Sequence, residues 1–365
     1  MALRVIIAGG GTGGHIYPGI AIAREFQRRD SGNEIVFIGT SYGLETKIVP
    51  REGFKLELIR VAGLKNVSLA KRVRSLLMLP GSFIEVWGLL RRIRPDIVIG
   101  VGGYSSGPVL LLAALQRFPT MVVEPNALPG FTNRVLARFI DRAAVTFEVS
   151  KSYFPNKAVV TGNPVRPEFQ RVPKKQRGEQ CHLLIFGGSQ GAHAINLAMI
   201  EALPELAAYK EQLTITHQTG EKDFESVRAA YAQTEIAADV RPFLDKMADE
   251  FARTDLIICR AGATTVAELT AAGKAAILVP FPFAADDHQR KNAEALQAAG
   301  AGRLILQQEL TGTRLAQEII ALIKAPEEIA AMEIESRKLA RADAAAEAVD
   351  LAINVMKEKA SKPRS

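Results

Sequence analysis

Residues 4–15, RVIIAGGGTGGH, decide the fold of this chain, and residues 182–193, HLLIFGGSQGAH, repeat their plan. In each stretch a short apolar run is followed by a glycine-rich loop and then by a helical pattern. Such a loop joins a strand to a helix in a βαβ unit, where its amides and the helix dipole suit an anion, normally a phosphate. The repeat therefore predicts one nucleotide-binding plan used twice, once at the start of each half.

Strands and helices alternate outward from both stretches. In the first half, strands are predicted at Val5–Ala8, Glu34–Ile38, Ile97–Gly100, Met121–Val123 and Ala144–Thr146, and a helix at Tyr17–Arg29. In the second half, strands are predicted at His182–Phe186, Leu213–His217, Leu256–Cys259 and Ala276–Val279, and helices at His193–Leu203 and Thr265–Ala272. This rhythm predicts an α/β fold with mostly parallel sheets covered by helices.

A linker separates the two halves. Prolines at 155, 164, 167 and 173 precede the polar run KKQRGEQ at 174–180, a composition typical of a domain boundary. Because 365 residues are about twice the length of one ordinary domain, two domains joined near residues 163–180 are predicted. The residues alone leave open which domain the C-terminal helix at 344–356 and the basic tail at 357–364 pack against.

The composition is that of an ordinary globular protein. Hydrophobic residues make up 48% and charged residues 23%, which excludes a wholly disordered or collagen-like chain. The formal net charge of +7 predicts an anionic partner, such as nucleic acid, a phosphorylated metabolite or an acidic membrane surface. Cys181 and Cys259 lie in apolar runs, and neither a signal peptide nor about 18 successive apolar residues is apparent, so a cytosolic location is expected.

The first glycine loop fits no standard nucleotide motif completely. Gly9, Gly11 and Gly14 have GxGxxG spacing, but a dinucleotide-binding fold requires an acid at the end of the second strand, which here ends Ile38-Gly39-Thr40. An NAD- or FAD-dependent enzyme is therefore disfavoured. A P-loop fails as well, because His15 occupies the place of the required lysine. The simplest alternative is a tight turn that packs a helix on a strand.

His15 lies on the first turn of its predicted helix. The positive end of the helix dipole disfavours imidazolium, which keeps the ring neutral near pH 7 as a general base requires. A structural role at the helix start is the alternative. His182 and His217 fall in predicted strands and are interpreted as packing residues. No His, Cys, Asp and Glu cluster has metal-ligand spacing, so chemistry without a metal or cofactor is expected.

A third turn of the anion-binding type spans residues 259–268, CRAGATTVAE. Thr265 and Glu268 have the spacing of a capping box, in which a hydroxyl and a carboxylate satisfy the amides at a helix start. The alternative makes this helix start the seat of a diphosphate and Glu268 an acceptor for ribose hydroxyls. Spacing alone supports the two interpretations comparably.

Residues 71–94, KRVRSLLMLPGSFIEVWGLLRRIR, combine apolar and basic side chains. Leu76, Leu79, Phe83, Trp87 and Leu90 recur near helical spacing, although Pro80-Gly81 is expected to break the helix. The flanking cations are Lys71, Arg72, Arg74, Arg91, Arg92 and Arg94. Such a pattern suits an anionic membrane surface, but by itself it favours a helix that covers its own sheet.

Several long motifs occur along the chain in a distinctive order. They are GGGTGGHIYPG at 9–19, GVGGYSSGP at 100–108, TGNPVRPE at 161–168, FGGSQGAHAIN at 186–196, RAGATTVAEL at 260–269 and PFPFAADDHQRKNA at 280–293. Together they resemble the MurG family of peptidoglycan N-acetylglucosaminyltransferases, from residue 3 to about residue 350. The sequence departs at Val123-Glu124-Pro125-Asn126, where relatives often read His-Glu-Gln-Asn, so the local loop and any role for that His differ here.

The resemblance implies a GT-B fold, in which two Rossmann-like domains face each other across a cleft. It implies that residues 164–343 bind UDP-N-acetylglucosamine, and that residues 1–163, joined by the helix 344–365, bind lipid I, an undecaprenyl-diphosphate-linked muramyl pentapeptide. An inverting transfer of the sugar to the muramyl 4-hydroxyl would then form lipid II in peptidoglycan synthesis. The implied location is peripheral, on the cytoplasmic face of the inner membrane, with residues 71–94 as a membrane-association surface.

The resemblance also implies roles for single residues. His15 is the candidate base, and Thr12, Gly13, Gly14, Asn126 and Arg166 are expected to line the cleft. Ser189 and the turn Ala263–Thr265 are expected to bind the diphosphate, Glu268 the ribose, the backbone at Leu244 the uracil and Gln289 the sugar hydroxyls. The other substrate-binding residues expected in that turn and helix are Thr264, Val266 and Ala267.

Two alternatives share the donor half of this interpretation. One is a GT-B lipid glycosyltransferase with a diacylglycerol acceptor, and the other is a nucleotide-sugar 2-epimerase, which needs no acceptor. A nucleic-acid binder is suggested by net charge only, because aromatic residues are not interleaved with the basic ones. Nucleic acid is therefore not an expected partner.

Overall fold

The computed structural model describes residues 2–60, 69–103, 105–176, 178, 180–188, 190–284 and 287–361, with residues 69–80 described only as part of a helix. The chain divides into two compact units, Met1–Arg166 with Arg341–Ser365 and Pro167–Ala340. Ser189, assigned above to the diphosphate, and residues 362–364 of the basic tail lie outside the described residues.

The first unit contains a parallel sheet. Its strands are β1 (Arg4–Gly9), β2 (Glu34–Gly39), β3 (Lys55–Leu58), β4 (Ile97–Gly102), β5 (Thr120–Glu124), β6 (Arg142–Val145) and β7 (Ala158–Val160). Its first helices are α1 (Gly13–Arg29), α2 (Glu45–Arg51), α3 (Leu69–Ile93), α4 (Ser106–Leu115) and α5 (Phe131–Leu136), and a 3₁₀ helix spans Glu148–Tyr153. The strand order is β3-β2-β1-β4-β5-β6-β7, so the order reverses beside β1 and the carboxyl ends of β1 and β4 are adjacent.

The second unit repeats this plan. Its strands are β8 (Cys181–Phe186), β9 (Leu213–Gln218), β10 (Ala237–Arg241), β11 (Leu256–Cys259), β12 (Ala275–Leu278) and β13 (Gly302–Leu304), in the order β10-β9-β8-β11-β12-β13. Its helices are α6 (Pro167–Gln170), α7 (His193–Leu206), α8 (Phe224–Tyr231), α9 (Met247–Arg253), α10 (Ala263–Ala272), α11 (His288–Ala298), α12 (Gly312–Lys324) and α13 (Pro326–Lys338), with 3₁₀ helices at Ala207–Gln212 and Gln307–Glu309. The switch in strand order again places a glycine loop, here after β8, beside its neighbour β11.

Both faces of the first sheet are covered, which explains why its strands are continuous apolar runs rather than alternating ones. Val5 and Ile7 of β1 pack with Phe26 of α1 on one face. Ile6 of β1 packs with Leu90 of α3 on the other face. The fold class predicted from the sequence, two α/β units with parallel sheets, is confirmed.

The C-terminal helix α14 (Ala344–Ala360) belongs to the first unit. Its residues Ala348, Val349, Ala352 and Val355 are buried in the same core cluster as α1. Polar contacts hold it at both ends, where Arg29 donates to the Ala346 carbonyl at 2.9 Å and the Lys359 ammonium lies 2.7 Å from the Asp141 carboxylate. The chain thus leaves the first unit and returns to complete it.

Two local predictions need correction. The first helix begins at Gly13 rather than at Tyr17, so the glycine loop is shorter than predicted. The predicted helix break at Pro80-Gly81 is wrong, because α3 is one helix of 25 residues. Proline removes a single amide from the helical hydrogen-bond pattern, whereas Val86 and Leu90 beyond it are fully buried against the sheet. Within the described residues, no helix is long and apolar enough to span a bilayer.

Candidate active site

Two glycine loops meet at the carboxyl ends of β1 and β4. The Gly10 amide donates to the Gly102 carbonyl at 3.3 Å. A Cβ on Gly103 would lie 2.4 Å from the Gly10 carbonyl oxygen, and one on Gly9 would lie 2.8 Å from the Gly102 oxygen. Glycine is required at these positions because backbone lies directly against backbone. The first loop, residues 9–14, is therefore rigidly placed.

A buried carboxylate fills the space beneath this loop. Glu45, the first residue of α2, is 1% exposed, and its Oε2 accepts from the Gly11 amide at 2.7 Å. Its Oε1 accepts from both the amide and the hydroxyl of Thr40 at 2.9 Å. Burial acts to raise the pKa of Glu45, but the donors at Gly11 and Thr40 outweigh it and hold that pKa below its ordinary value.

Glu45 corrects one interpretation of the sequence. The first loop was predicted to offer its amides to a phosphate, yet the Gly11 amide donates to the chain's own carboxylate. No acidic residue lies at the end of β2, but Glu45 of α2 contacts the loop instead. No motif with a fixed spacing identifies this residue in the sequence. The sequence does contain one sign of this contact, the glycines at positions 10, 39 and 43. A Cβ at Gly10, Gly39 or Gly43 would lie within 2.6 Å of the Glu45 side chain, so each of these positions needs glycine.

His15 lies on the first turn of α1 and contacts the same loop. Its Nδ1 is 3.2 Å from the Gly10 carbonyl oxygen. Because a carbonyl can only accept, Nδ1 carries the proton, and the lone pair of the neutral ring is on Nε2. A Cβ on Gly102 would lie 2.6 Å from His15 Cδ2 and 2.9 Å from Nε2, so the ring packs on the second glycine loop.

The other residues assigned to the first unit are held by their neighbours. The Asn126 amide and its side-chain Nδ2 donate to Glu124 Oε1 at 3.0 and 3.1 Å. The Arg166 guanidinium lies 4.6 Å from the centroid of the Tyr17 ring on α1. Thr12 caps α1 without a side-chain hydrogen bond, and its carbonyl accepts from the His15 amide at 3.1 Å.

The departure at residues 123–126 has a clear structural setting. Val123 is a buried strand residue of the core, so this position is apolar here. Glu124 at the end of β5 is also buried, and its second oxygen accepts from the Gly130 amide at 3.1 Å and Asn133 Nδ2 at 2.8 Å. Burial raises the pKa of Glu124, and its N–H donors oppose that shift by favouring the carboxylate.

In the second glycine loop, residues 187–192, Gly188 and Gly191 are braced by neutral groups. The Gly188 carbonyl accepts from the Gly191 amide at 2.9 Å and from Gln218 Nε2 at 2.9 Å. Gly191 has φ +74°, and a Cβ there would lie 1.8 Å from the Thr219 carbonyl oxygen. This loop is therefore fixed against the end of β9 by backbone contact and by one amide side chain.

A polar network anchors the start of α7 beside this loop. His193 Nδ1 lies 3.0 Å from both oxygens of Asp223, and Asn196 Nδ2 donates to Asp223 at 2.8 Å. His217 Nε2 lies 3.1 Å from Asn196 Oδ1, and its Nδ1 lies 3.2 Å from the Tyr231 hydroxyl. Burial lowers the pKa of His217 to about 3, so this ring is neutral. The predicted strand positions of His182 and His217 are confirmed, and both rings contact hydroxyl groups of neighbouring side chains.

The helix start expected to bind the diphosphate begins earlier than the capping-box interpretation requires. Helix α10 begins at Ala263 with Gly262 as its N-cap, and no side chain caps it. Thr265 lies inside the helix, so the capping box is wrong. Ala263, Thr264, Thr265 and Ala267 are half-buried, whereas Val266 and Glu268 are buried, Glu268 being 7% exposed.

Arg260, which the sequence analysis did not single out, organises the loops beside α10. Its guanidinium donates to the carbonyls of Val279 and Pro280 at 3.0 and 3.1 Å and to Gln307 Oε1 at 2.7 Å. Burial lowers the pKa of Arg260 to about 10, and the group remains cationic at neutral pH. Its position in the sequence could have indicated this role, because Arg260 directly follows β11 and lies two residues before Gly262.

Two further residues that the sequence predicts in the donor site are held by loops of the second unit. The Gln289 side-chain oxygen accepts from the Phe281 amide at 3.0 Å, which orders the segment before α11. Leu244 is buried, and two residues before it the Pro242 carbonyl accepts from the Gly220 amide at 3.1 Å.

Comparisons with known proteins identify the family. Residues 5–145 match the model of the glycosyltransferase family 28 N-terminal domain, and residues 182–348 match that of the C-terminal domain. A relative from Geotalea uraniireducens (strain Rf4), named UDP-N-acetylglucosamine–N-acetylmuramyl-(pentapeptide) pyrophosphoryl-undecaprenol N-acetylglucosamine transferase, is 49% identical over 354 residues, covering 95% of this chain and 97% of the relative. The chain belongs to this transferase family, the MurG family.

Solved structures agree with this family assignment. A crystal structure of MurG from Acinetobacter baumannii matches with a TM-score of 0.79 at 31% identity, over 96% of this chain and 99% of that one. A UDP-GlcNAc 2-epimerase from Neisseria meningitidis, bound to UDP-GlcNAc, matches with a TM-score of 0.69 at 13% identity, over 96% and 100% of the two chains. The second likeness reflects the shared fold, and it is the MurG relationship that carries sequence identity.

One segment of this MurG-family chain is split between core and surface. Leu90 is fully buried and Phe83 packs partly against the core, as the residues alone led us to expect of a helix that covers its own sheet. Trp87 is 39% exposed and stacks with the Arg91 guanidinium at 5.3 Å, and Ile84 is 75% exposed. The side chains of Lys71, Arg72, Arg74, Leu76 and Leu79 lie outside the described residues.

Proposed function

We propose that this chain transfers N-acetylglucosamine from UDP-N-acetylglucosamine to the muramyl 4-hydroxyl of lipid I, forming lipid II in peptidoglycan synthesis. The observation that carries the proposal is 49% identity over 95% of the chain to a relative that bears the name of this transferase. The two glycine-loop units and the His15 geometry support it, because a sugar transfer needs a seat for a diphosphate and a base for a hydroxyl proton.

The donor is assigned to the second unit. The N-terminal amides of α10, at Ala263–Thr265, point along the positive end of a helix of 10 residues, which favours a diphosphate. Ser189 and the 187–192 loop would complete that seat. Val266 and Ala267 continue the same turn and helix, Glu268 would accept from the ribose hydroxyls, and the Leu244 backbone would contact the uracil. Gln289 would bind the hydroxyls of the sugar.

The acceptor and the base are assigned to the first unit. In an inverting transfer, the acceptor oxygen attacks the anomeric carbon while the bond to UDP breaks and UDP leaves with the bonding electrons. His15 Nε2, which carries the lone pair, would take the hydroxyl proton as that bond forms. Thr12, Gly13, Gly14, Asn126 and Arg166 would bind the acceptor around it. The α10 N-terminus would stabilise the negative charge on the departing diphosphate.

Membrane association is assigned to the outer face of α3. Trp87 and Ile84 are exposed there, and Arg91 stacks on the indole. An amphipathic surface with cations around an apolar patch binds an anionic bilayer and lies in its interface. The proposal therefore places the protein at the cytoplasmic face of the inner membrane, where a lipid-linked acceptor is available.

The proposal is tested by a transfer assay with purified chain, UDP-N-acetylglucosamine and lipid I. Lipid II should form, and His15→Ala should lower kcat by about 10²-fold to 10⁴-fold, as expected for loss of a general base, with an unchanged Kd for UDP. Glu268→Ala should do the opposite, raising that Kd with a smaller effect on kcat. Turnover of UDP-N-acetylglucosamine without any acceptor would instead indicate an epimerase, and transfer to diacylglycerol a different lipid glycosyltransferase.

A further inference from the structure

The peptide group between Gly10 and Gly11 is bound on both sides by ionisable side chains. Its N–H, which belongs to Gly11, donates to Glu45 Oε2 at 2.7 Å. Its carbonyl, which belongs to Gly10, lies 3.2 Å from His15 Nδ1 and accepts that proton. A carboxylate and an imidazole are thus joined through one planar, polarisable amide. Neither contact was foreseen from the sequence.

The surrounding residues dictate where the Glu45 carboxylate lies. A Cβ at Gly43 would fall 1.9 Å from Oε2, one at Gly10 2.3 Å from Oε1, and one at Gly39 2.6 Å from Cγ. The pocket is therefore shaped around this side chain by three glycines. Thr40 donates twice to Oε1, which leaves Oε2 directed at Gly11. The carboxylate has one position and one orientation.

We propose that Glu45 is a positioning residue for the His15 base, acting through the Gly10–Gly11 peptide to fix the Nδ1–H tautomer and to strengthen Nε2 as a proton acceptor. A hydrogen bond from a peptide N–H to a charged carboxylate increases the negative charge on the carbonyl oxygen of the same peptide. That oxygen then holds the Nδ1 proton more firmly and stabilises the imidazolium that forms when Nε2 accepts a proton. This role rests on the proposed function of His15.

Other charged contacts to α1 include Arg166 over Tyr17, Arg24 with Glu52 of α2, and Arg29 with Asp350 of α14. None of these contacts involves the Gly10–Gly11 peptide. Lys47 of α2 is exposed. Glu45 makes a charged hydrogen bond to this peptide, and its charge is expected to act on His15 through the Gly10 carbonyl.

Histidine ¹⁵N NMR of the full chain tests the tautomer without any reaction. The chain has five histidines, and the signals of His15 are identified as those that disappear in the spectrum of His15→Asn. We expect His15 to show a protonated Nδ1 and an unprotonated Nε2 in its neutral form. A neutral His15 protonated on Nε2 would overturn the proposal, whatever the role of His15 in transfer.

Glu45→Gln tests the charge. Its side-chain NH₂ must face the N–H of either Gly11 or Thr40, so the variant loses one of these hydrogen bonds as well as the charge. We expect the His15 pKa measured by NMR to fall by about 0.5–1 unit and kcat to fall about tenfold, with the acidic limb of the kcat profile moved to lower pH and an unchanged Kd for UDP. An unaltered His15 titration in a folded Glu45→Gln protein would overturn the proposal.

Two further variants separate this role from general stability. Gly43→Ala keeps the charge but displaces Oε2, so it should also reduce kcat and alter the His15 tautomer ratio. Glu25→Gln removes a carboxylate of α1 that pairs with Arg28 and Arg29, and it should leave the His15 titration unchanged. If His15→Ala retained full turnover, the proposed role of His15 as the base would be wrong. The NMR experiments would still test separately whether Glu45 controls the tautomer and the pKa of His15.

Discussion

The two glycine loops look alike in sequence and differ in electrostatics. In the loop after β1, the Gly11 amide donates to the carboxylate of Glu45. In the loop after β8, the bracing contacts at Gly188 and Gly191 come from an amide side chain and from backbone. The first loop thus already contacts an internal anion, whereas the contacts described for the second loop, at Gly188 and Gly191, come from neutral groups. This difference favours the second loop as the one that attracts the diphosphate of a nucleotide.

The largest expected effect is a loss of stability on substitution of Gly191 in the second loop. Gly191→Ala combines a positive φ with a Cβ 1.8 Å from the Thr219 carbonyl oxygen, and backbone cannot move aside easily. We expect it to lower the free energy of unfolding by about 3–5 kcal/mol. Gly10→Ala should cost less, about 2 kcal/mol, because its Cβ meets the Glu45 carboxylate, which can shift by giving up its hydrogen bonds, rather than backbone. Urea unfolding of both variants measures the difference, and equal losses would contradict this contrast.

A matched pair sharpens the comparison with a smaller effect. Gly11 and Gly188 have φ of +89° and +94°, and a Cβ at either position meets nothing within 4 Å. Alanine at each should therefore cost a similar amount of stability, about 1 kcal/mol. Their activities should diverge. Gly11→Ala should lower kcat by perturbing the peptide that contacts His15, whereas Gly188→Ala should raise the Kd for UDP. Calorimetric titration and initial rates separate the two outcomes, and the reverse pattern would argue against the assignment of donor and base to different units.

The smallest effect concerns acid stability. The pKa of Glu45 is lowered despite burial, through donors at Gly11 and Thr40, and that of Asp223 is lowered despite burial through Asn196 and His193. Each contribution is present above the ordinary carboxyl pKa and is lost as the pH falls through the lowered one. Glu45→Gln and Asp223→Asn should each flatten the decline of the unfolding free energy below about pH 4.5. Urea midpoints between pH 3 and pH 6 check this, and an unchanged slope would remove the corresponding hydrogen bonds from the stability of the loop.

Much of the fold could be predicted from local sequence. Apolar runs such as Val5–Ala8 and Leu256–Cys259 are buried on both faces in parallel sheets, and their patterns alone mark them as strands. Errors arose where tertiary contacts override local preference. Pro80 and Gly81 do not end α3, since buried residues farther along hold the helix to the sheet. Thr265 resembles a cap in sequence, but the helix begins at Ala263, where Gly262 ends the preceding extended backbone.

The site was less predictable, because its key contacts join distant residues. His15 could be selected from its place at a helix start, yet the tautomer of its ring depends on the Gly10 carbonyl. Glu45 belongs to a helix of 7 residues and contacts a loop 34 positions away, and no motif spacing encodes that distance. Arg260 likewise contacts residues far along the chain, namely the carbonyls that follow β12 and Gln307.

The return of α14 to the first unit bears on the order in which the chain folds during synthesis. The second unit is one continuous stretch, Pro167–Ala340, so all of its core is available before the last helix leaves the ribosome. The first unit is begun earlier but waits for Val349, Ala352 and Val355 to cover the apolar side of α1. The half made first is therefore completed after the other, and until α14 emerges it exposes a hydrophobic strip on which a nascent chain can aggregate.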